Sequence, residues 1–341
     1  MLAQMSGDSE ATLDGPPPPP WRPDPNDLAT LETGCGLIDR SYMGRLTLSG
    51  EDAAALLQGQ LSNDIESLDL GAGCESALLT PKGKMLGIVR VLRVGEDEFH
   101  LTTDRVSLQN LFDALRRAAV GHQAEIGKAT LETAQLSLVG PKADRIAGVS
   151  DLHDEHMTRK ALLGGSRVTM VVTAEGVDIL CPADKVDGVR NALFAAGATL
   201  GDEGAAQCMR VQAGIPQYGI DIDENTIPQE ADLNHRLVSF TKGCYVGQET
   251  VARLFYKGSP NRTLRGLLLD DEVMPGTVLT DSEGKELGVV GSVSAPPGDA
   301  VTALAMVRNE ASPGRILDAG GVEAEVVELP FPVLDSPSGA A

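Results

Sequence analysis

The sequence predicts an α+β fold followed by a small all-β domain, and three observations support this fold class. Two stretches in which hairpin strands alternate with helices occupy residues 44–120 and 132–198. Hairpin connections make strand pairing antiparallel, which distinguishes this pattern from a doubly wound sheet. From about residue 264, short strands alternate with Gly, Pro and Asp turns without helical periodicity, which indicates a β-barrel or sandwich.

Hydrophobic periodicity places the elements of the α+β region in order. The first stretch predicts a strand, a helix, three hairpin strands and a second helix, at residues 44–50, 49–65, 75–104 and 105–120. The second predicts a strand, a hairpin and a helix, at residues 132–141, 167–182 and 183–198. Both helices that follow the hairpins are amphipathic, as expected for helices that cover one face of a sheet.

The domain boundaries follow from composition. Residues 1–27 contain a proline run and are predicted to be an extended, disordered head, so Trp21 is expected to lie outside the core. Residues 28–263 form the predicted α+β region, with two interleaved subdomains. Residues 264–334 form the predicted barrel, and residues 335–341 a disordered tail.

Composition excludes several classes of protein. The net charge is −21 over 341 residues, which argues against a surface that coats duplex nucleic acid. The five cysteines are widely spaced and include no C-x-x-C, which suits a reducing compartment. No apolar run approaches the ~18 residues of a membrane span, and the amino-terminal residues lack the basic start of a signal peptide. We therefore expect a cytoplasmic monomer that does not associate with membranes.

One segment reverses the sign of this charge. Residues 236–265 contain six basic residues and one acidic residue, a local charge of +5. Four of the eleven aromatic residues also lie there. Cations beside aromatic rings suit an anionic ligand that carries a flat ring. The alternative is that these cations only balance the acidic residues immediately upstream.

Within this segment lies KGCYVGQE, residues 242–249. Lys242 and two glycines flank Cys244, which describes an exposed turn of positive potential where a thiolate is favoured. Cys244 is thus the candidate reactive or metal-ligating thiol, with a small buried hydrophobic residue as the alternative. The other four cysteines are interpreted as structural.

The KGCYVGQE block resembles the K-G-C-[FY]-x-G-Q-E signature of the YgfZ family, folate-binding relatives of the glycine-cleavage T-protein. AGIPQYGIDID, TIPQEADL, VSFTKGCYVGQETVAR and KGSPNRTL occur in family order, and the resemblance spans roughly residues 30–330. It implies T-protein-like antiparallel sheets in a ring-like arrangement with a carboxy-terminal β-barrel and a central folate pocket.

The resemblance also implies a function: accessory work in the assembly or repair of iron–sulfur clusters, with client enzymes that include a tRNA-modifying radical enzyme. It assigns the redox or ligating thiol to Cys244, without a stable metal site, and an anion-binding role to Lys242. Tetrahydrofolate is the implied cofactor. The remaining candidates for binding it are Arg210, Gln212, Tyr218, Gln248 and Arg253.

This chain departs from the wider family in three places. Aminomethyltransferases place an aspartate after the turn that corresponds to Gly83–Lys84, but no carboxylate occurs from Met85 to Val94, so the group for that proton chemistry is missing. Gln212 stands where they have a folate-holding glutamate, and it brings hydrogen bonds but no charge. Met43 and Ala206 occupy the positions of folate-stacking tryptophans, for which Tyr42 or Tyr218 are substitutes.

Two hypotheses from different classes follow. The first is an accessory protein that uses folate and Cys244 without turnover chemistry of its own. The second is a tetrahydrofolate-dependent aminomethyltransferase or demethylase. The missing aspartate and the presence of Cys244 favour the first.

Overall fold

The computed structural model describes residues 18–331. In this range the α-helices are α1 (Pro25–Thr33), α2 (Ala53–Gln60), α3 (Leu108–Ala118), α4 (Ala143–Ala147), α5 (Val186–Ala195), α6 (Glu203–Gln212), α7 (Asn234–Leu237) and α8 (Gln248–Lys257). The strands are β1 (Gly36–Asp39), β2 (Gly44–Ser49), β3 (Gly73–Leu79), β4 (Met85–Gly95), β5 (Glu98–Thr103), β6 (Glu125–Lys128), β7 (Thr133–Val139), β8 (Thr158–Leu163), β9 (Ser166–Thr173), β10 (Gly176–Pro182), β11 (Thr199–Leu200), β12 (Arg262–Leu269), β13 (Val278–Thr280), β14 (Glu286–Ser294), β15 (Val301–Arg308), β16 (Ile316–Asp318) and β17 (Glu323–Val327).

The first sheet has five antiparallel strands in the order β3-β4-β5-β2-β6. Its buried face forms one core with α2 and α3, which includes Leu57, Phe99 and Leu111. On β4 buried and half-buried residues alternate, so one face of the strand packs inward while the other is free to contribute polar side chains. The predicted turns after β3 and after Gly95 are both present.

The second sheet has six strands in the order β11-β1-β7-β10-β9-β8. All its pairs are antiparallel except the short β1–β11 pair. Its core is covered by α4 and α5 and includes Leu136, Ile179 and Leu193. The two sheets are interleaved along the chain: β1 belongs to the second sheet, β2 to β6 form the first sheet, and β7 to β11 complete the second. The prediction of α+β sheets built from hairpins is therefore confirmed.

The carboxy-terminal strands form a closed barrel in the order β12-β15-β14-β13-β16-β17. Closure pairs β12 with both β15 and β17, which removes the free edges that an open sheet would expose. The barrel interior is a separate core of small and branched residues such as Leu267, Val290 and Ala303. The barrel begins at Arg262, close to the predicted boundary at residue 264. The predicted tail, residues 335–341, lies outside the described residues.

The prediction of a disordered head needs correction for residues 18–27. Trp21 is only 2% exposed and packs in a core shared by α1, α6 and the barrel. Two backbone hydrogen bonds join Trp21 to β14 and to Ala295, the residue that follows this strand. Trp21 N–H donates to Val293 O, and Ala295 N–H donates to Trp21 O. Helix α1 then starts at Pro25, capped by the Asp24 side chain. Residues 1–17 lie outside the described residues.

Within residues 18–331, none of the helices combines the length and the apolar composition that crossing a membrane requires.

Candidate functional site

A cavity of about 250 Å³ lies where the two sheets, α6 and the residues after α6 meet. Six carboxylates and four arginines line it: Glu75, Asp104, Glu155, Glu175, Asp178, Glu203, Arg40, Arg90, Arg210 and Arg236. Both sheets contribute to this lining. The charge of the wall is therefore negative when all of these groups are ionised.

Three of the arginines hold five of these carboxylates in ion pairs. Arg90 Nη1 lies 2.6 Å from Asp178 Oδ2. Arg40 pairs with Glu175 at 2.6 Å and with Glu203 at 2.9 Å, and so connects the second sheet to α6. The guanidinium of Arg236 pairs with Glu75 and Glu155. These pairs join separate elements around the cavity and fix its shape.

Asp104 differs from the other carboxylates because it forms no ion pair with any described residue. It follows β5 and faces the cavity beside Gln217 and Arg210. Burial raises the pKa of Asp104 to about 6, although Arg210 and the Gln217 hydrogen bond oppose this shift. A carboxyl group with that pKa can hold or accept a proton near neutral pH.

Four buried polar atoms of the wall have no hydrogen-bond partner in residues 18–331: Arg90 Nε, Gln135 Oε1, His156 Nδ1 and Gln217 Oε1. Gln135 donates through Nε2 to Asp178, but its Oε1 accepts no hydrogen bond. His156 is only 7% exposed, and its Nδ1 is also unpaired. His156 has φ of 67°, an uncommon conformation for a residue other than glycine. Buried polar atoms without partners are costly, so these four atoms indicate a place where a polar ligand completes the wall.

Of the residues predicted to bind folate, Arg210 and Tyr218 line the cavity. Arg210 is fully engaged: it donates to Gln207 at 2.7 Å, to Ser292 at 2.6 Å and to the carbonyl of Ile215, and it pairs with Asp221 at 3.2 Å. It therefore ties α6 to the barrel and to the residues after α6. The Tyr218 hydroxyl donates to Met85 O, which places its ring between β4 and the cavity.

The other predicted ligands lie away from the cavity lining. Gln212 ends α6, Gln248 begins α8, and Arg253 is exposed on α8. Of the positions compared with stacking tryptophans, Met43 lines the cavity, as does Tyr42, whereas Ala206 is buried in the core around Trp21.

Lys242 has a different environment from the one predicted. Its side chain is buried, and Nζ donates to the carbonyls of Gln58, Leu61 and Asn63, each at 2.7 Å. These carbonyls lie at the end of α2 and just after it, where helices leave unpaired acceptors. All three ammonium hydrogens are used, so in this arrangement Lys242 has none left for an anion. It anchors the KGCYVGQE loop to α2.

Cys244 is exposed on this anchored loop. Gly247, at φ of 88°, packs against Thr80 O and Gly83, so the turn between β3 and β4 supports the loop from a second side. Cys35, Cys181 and Cys208 are buried, and Cys74 is half-buried. Burial raises the pKa of Cys35 and Cys181 to about 11 and that of Cys74 to about 12. Cys244 is therefore the accessible thiol, and it is not among the residues that line the cavity.

Within residues 18–331, no group of three or more His, Cys, Asp or Glu side chains is placed to hold a metal ion.

Comparison with known proteins agrees with this architecture. The family model described as GCVT N-terminal domain matches residues 25–242. This chain belongs to that family. An aminomethyltransferase of Moorella thermoacetica is 31% identical over 322 residues, which cover 87% of this chain and 86% of the relative. A putative chloroplastic transferase of Arabidopsis thaliana is 27% identical over 330 residues, 93% of this chain and 76% of the relative.

The crystal structure of glycine cleavage system aminomethyltransferase T from Bartonella henselae superposes with a TM-score of 0.79. It covers 89% of this chain and 88% of its own, at 23% identity. The T-protein-like fold with a carboxy-terminal barrel, predicted from the sequence, is thereby confirmed.

Proposed function

We propose that this GCVT-family protein binds tetrahydrofolate in the central cavity and acts with Cys244 as an accessory protein for the assembly or repair of iron–sulfur clusters. Its clients would include tRNA-modifying enzymes. The observation that carries the accessory role is the exposed thiol of Cys244, held on a loop that Lys242 anchors, while the other cysteines are wholly or partly buried. The sequence resemblance of this loop to the YgfZ signature supports the same role.

The wall of the cavity fits a pterin ring. The unpaired Gln135 Oε1 can accept a hydrogen bond from a ring amine, and Asp104 can accept one or, when protonated, donate one. Tyr42 and Tyr218 supply aromatic surface. The volume of about 250 Å³ lies just below the 300–1,000 Å³ range of sites for drug-sized ligands, which suits the ring system rather than a whole polyglutamylated folate. When bound, tetrahydrofolate supplies nitrogens that carry one-carbon units.

Ligand binding is tested by stability. Tetrahydrofolate at a hundredfold excess over its dissociation constant should raise the free energy of unfolding by about 2.7 kcal/mol, because it binds only the folded state. Gln135→Leu should weaken this effect more than Gln248→Leu, since Gln135 lines the cavity and Gln248 does not. Thermal unfolding with and without ligand measures both. Equal stabilisation of the two variants would place the ligand outside the cavity.

Thiol reactivity tests the part assigned to Cys244. In the native protein, Cys244 should react with iodoacetamide at least about tenfold faster than Cys35 or Cys181, because alkylation requires an accessible thiolate. Mass spectrometry of peptides after a short exposure gives the order of reaction. A Cys244 that reacts only as fast as Cys181 until the protein is denatured would contradict the proposal.

The accessory role itself is tested in cells. Deletion of the gene should lower the activity of several iron–sulfur enzymes and the methylthiolation of tRNA, and the wild-type protein should restore both. Cys244→Ser should fail to restore them, whereas Cys74→Ser, which changes a half-buried cysteine, should succeed. Normal iron–sulfur enzyme activities in the deletion strain would overturn the role while leaving folate binding intact.

A second candidate function is a tetrahydrofolate-dependent aminomethyltransferase or demethylase. Two observations favour it: the likeness to the Moorella aminomethyltransferase, and Asp104, a carboxyl group in the cavity with its pKa raised to about 6. Against it, β4 contributes Ile88 and Arg90 to the cavity and no carboxylate.

A turnover assay separates the two functions. With tetrahydrofolate and either a lipoyl-bound aminomethyl donor or dimethylglycine, we expect no one-carbon transfer above background, since β4 provides no base. Turnover that Asp104→Asn abolishes would establish the second candidate and assign its base to Asp104.

A further inference from the structure

A cluster of aromatic rings lies on the surface at α8, the helix that follows the Cys244 loop. Phe240 stacks on Phe255, with ring centres 4.0 Å apart and planes at 21°, and Tyr256 meets Phe255 edge-on at 5.1 Å. Phe255 is 47% exposed and Tyr256 is 67% exposed. They are the two exposed aromatic residues in the described part of the chain. Exposed tyrosine and phenylalanine are enriched at the centres of protein interfaces.

Three exposed cations lie on α8 or on the turn that packs against it. Arg253 and Lys257 are exposed on α8, and Lys82 is exposed on the turn whose Gly83 packs against Thr250 of α8. Within residues 18–331, none of the three makes a side-chain hydrogen bond or an ion pair, and Glu249 does not pair with Arg253 although it lies one turn before it.

The two cations on α8 are spaced so that they repel each other when no ligand is bound. Arg253 and Lys257 are four residues apart, and like charges at that spacing repel each other on a helix. Exposed cations that have no partner in the described part of the chain are available to pair with a ligand of opposite charge. This sign is opposite to that of the whole chain, which is −21.

We propose that this α8 surface, formed by Phe240, Phe255, Tyr256, Lys82, Arg253 and Lys257, docks an acidic segment of a partner protein that also carries apolar side chains. The rings would contact the apolar side chains, and the cations would pair with the carboxylates. The surface is adjacent to the KGCYVGQE loop along the chain, since Phe240 precedes the loop and α8 begins at Gln248 within it.

The geometry favours a protein segment over the other occupants. Successive bases of a single strand stack on rings that face the strand in turn, whereas Phe240 and Phe255 stack on each other and Tyr256 stands at 82° to Phe255, so the three rings form one apolar cluster. A second copy of this chain would bring together two molecules of charge −21, whose net repulsion opposes association. An acidic peptide of a few residues avoids most of that repulsion.

A peptide library tests the surface without assuming a sequence. Random peptides displayed on phage are selected on the full-length protein, and the enriched sequences should contain Asp or Glu together with Leu, Phe or other apolar residues. A synthetic peptide of the enriched sequence is then titrated by fluorescence anisotropy. Arg253→Glu/Lys257→Glu and Phe255→Ala/Tyr256→Ala should each weaken its binding at least tenfold, and salt should weaken binding to the wild type.

The matched control is Arg116→Glu/Arg117→Glu, which reverses two exposed arginines at the end of α3 and should leave binding within twofold. All variants should unfold within a few degrees of the wild type. The proposal is overturned by enriched peptides that are not acidic, or by equal losses in the α3 control. It is also overturned if a single-stranded oligonucleotide binds this surface more tightly than the peptide, or if the α8 variants abolish self-association in light scattering. No folate or cluster assay enters, so the result is independent of the proposed function.

Discussion

Trp21→Ala should lower the free energy of unfolding by about 3–5 kcal/mol, the range for deleting a fully buried aromatic side chain. Trp21 is 2% exposed and packs against Leu31, Val211 and Leu304, which belong to α1, α6 and the barrel. Its ring also lies 5.4 Å from the guanidinium carbon of Arg210. The substitution therefore opens a void where three elements meet, rather than trimming a surface.

Chemical denaturation followed by circular dichroism measures this change without relying on the fluorescence of the lost tryptophan. Tyr256→Ala, which removes a side chain that is 67% exposed, is the control and should change stability by no more than about 0.5 kcal/mol. A loss below 1 kcal/mol for Trp21→Ala would mean that the head packs only loosely on the barrel. The effect should extend to the cavity, because Arg210 both contacts Trp21 and lines the cavity wall.

Trp21 also shows where sequence reasoning was limited. The proline run before it predicted an extended, disordered head, but an extended segment can still dock through a buried side chain and through backbone hydrogen bonds to a distant strand, as Trp21 does with β14. The partners of Trp21 are more than 180 residues away, at Cys208 and Val293. No local pattern contains that information. The α+β region and the barrel were predictable because hairpins, amphipathic helices and turn residues are local signals.

The candidate site was predictable only in part, for the same reason. Arg210 and Tyr218 were identified from the resemblance to a folate-binding family, and both line the cavity. Asp104 and His156 were not identified. Asp104 is one polar residue at the end of a strand, and its raised pKa depends on burial by elements from other parts of the chain. The sequence offered one signal for Asp104: it is a polar residue directly after an apolar strand, and the ends of strands often line a binding pocket.

The sequence identified Lys242 as a candidate site residue but predicted the wrong contacts for it. Its observed partners lie about 180 residues earlier in the chain, and the motif gives no sign of them. The positive local charge suggested an anion, whereas the structure surrounds Nζ with the three carbonyls at the end of α2. A lysine can cap the carboxy-terminal end of a helix that is distant in sequence once the fold brings the two together. A local motif does not predict such a long-range contact.

Lys242→Met should lower the free energy of unfolding by about 2–4 kcal/mol at pH 7, because it removes three charge-assisted hydrogen bonds and leaves their carbonyls without a donor. Lys257→Met, on the exposed face of α8, should change stability by no more than about 0.5 kcal/mol. Urea denaturation of both variants and the wild type gives the comparison. Similar small losses in the two variants would show that the KGCYVGQE loop holds its place without the lysine.

The same variant should reveal a pH dependence. Burial lowers the pKa of Lys242 from 10.5 to about 8, so the folded protein releases this proton at a lower pH than the unfolded chain does. Between about pH 8 and 10.5 the unfolded state binds more protons, and the stability of the wild type must therefore rise with pH relative to Lys242→Met. Urea denaturation at pH 7.5, 9 and 10 should show the difference between the two proteins growing. A constant difference would mean that the three carbonyls hold the ammonium group charged throughout this range.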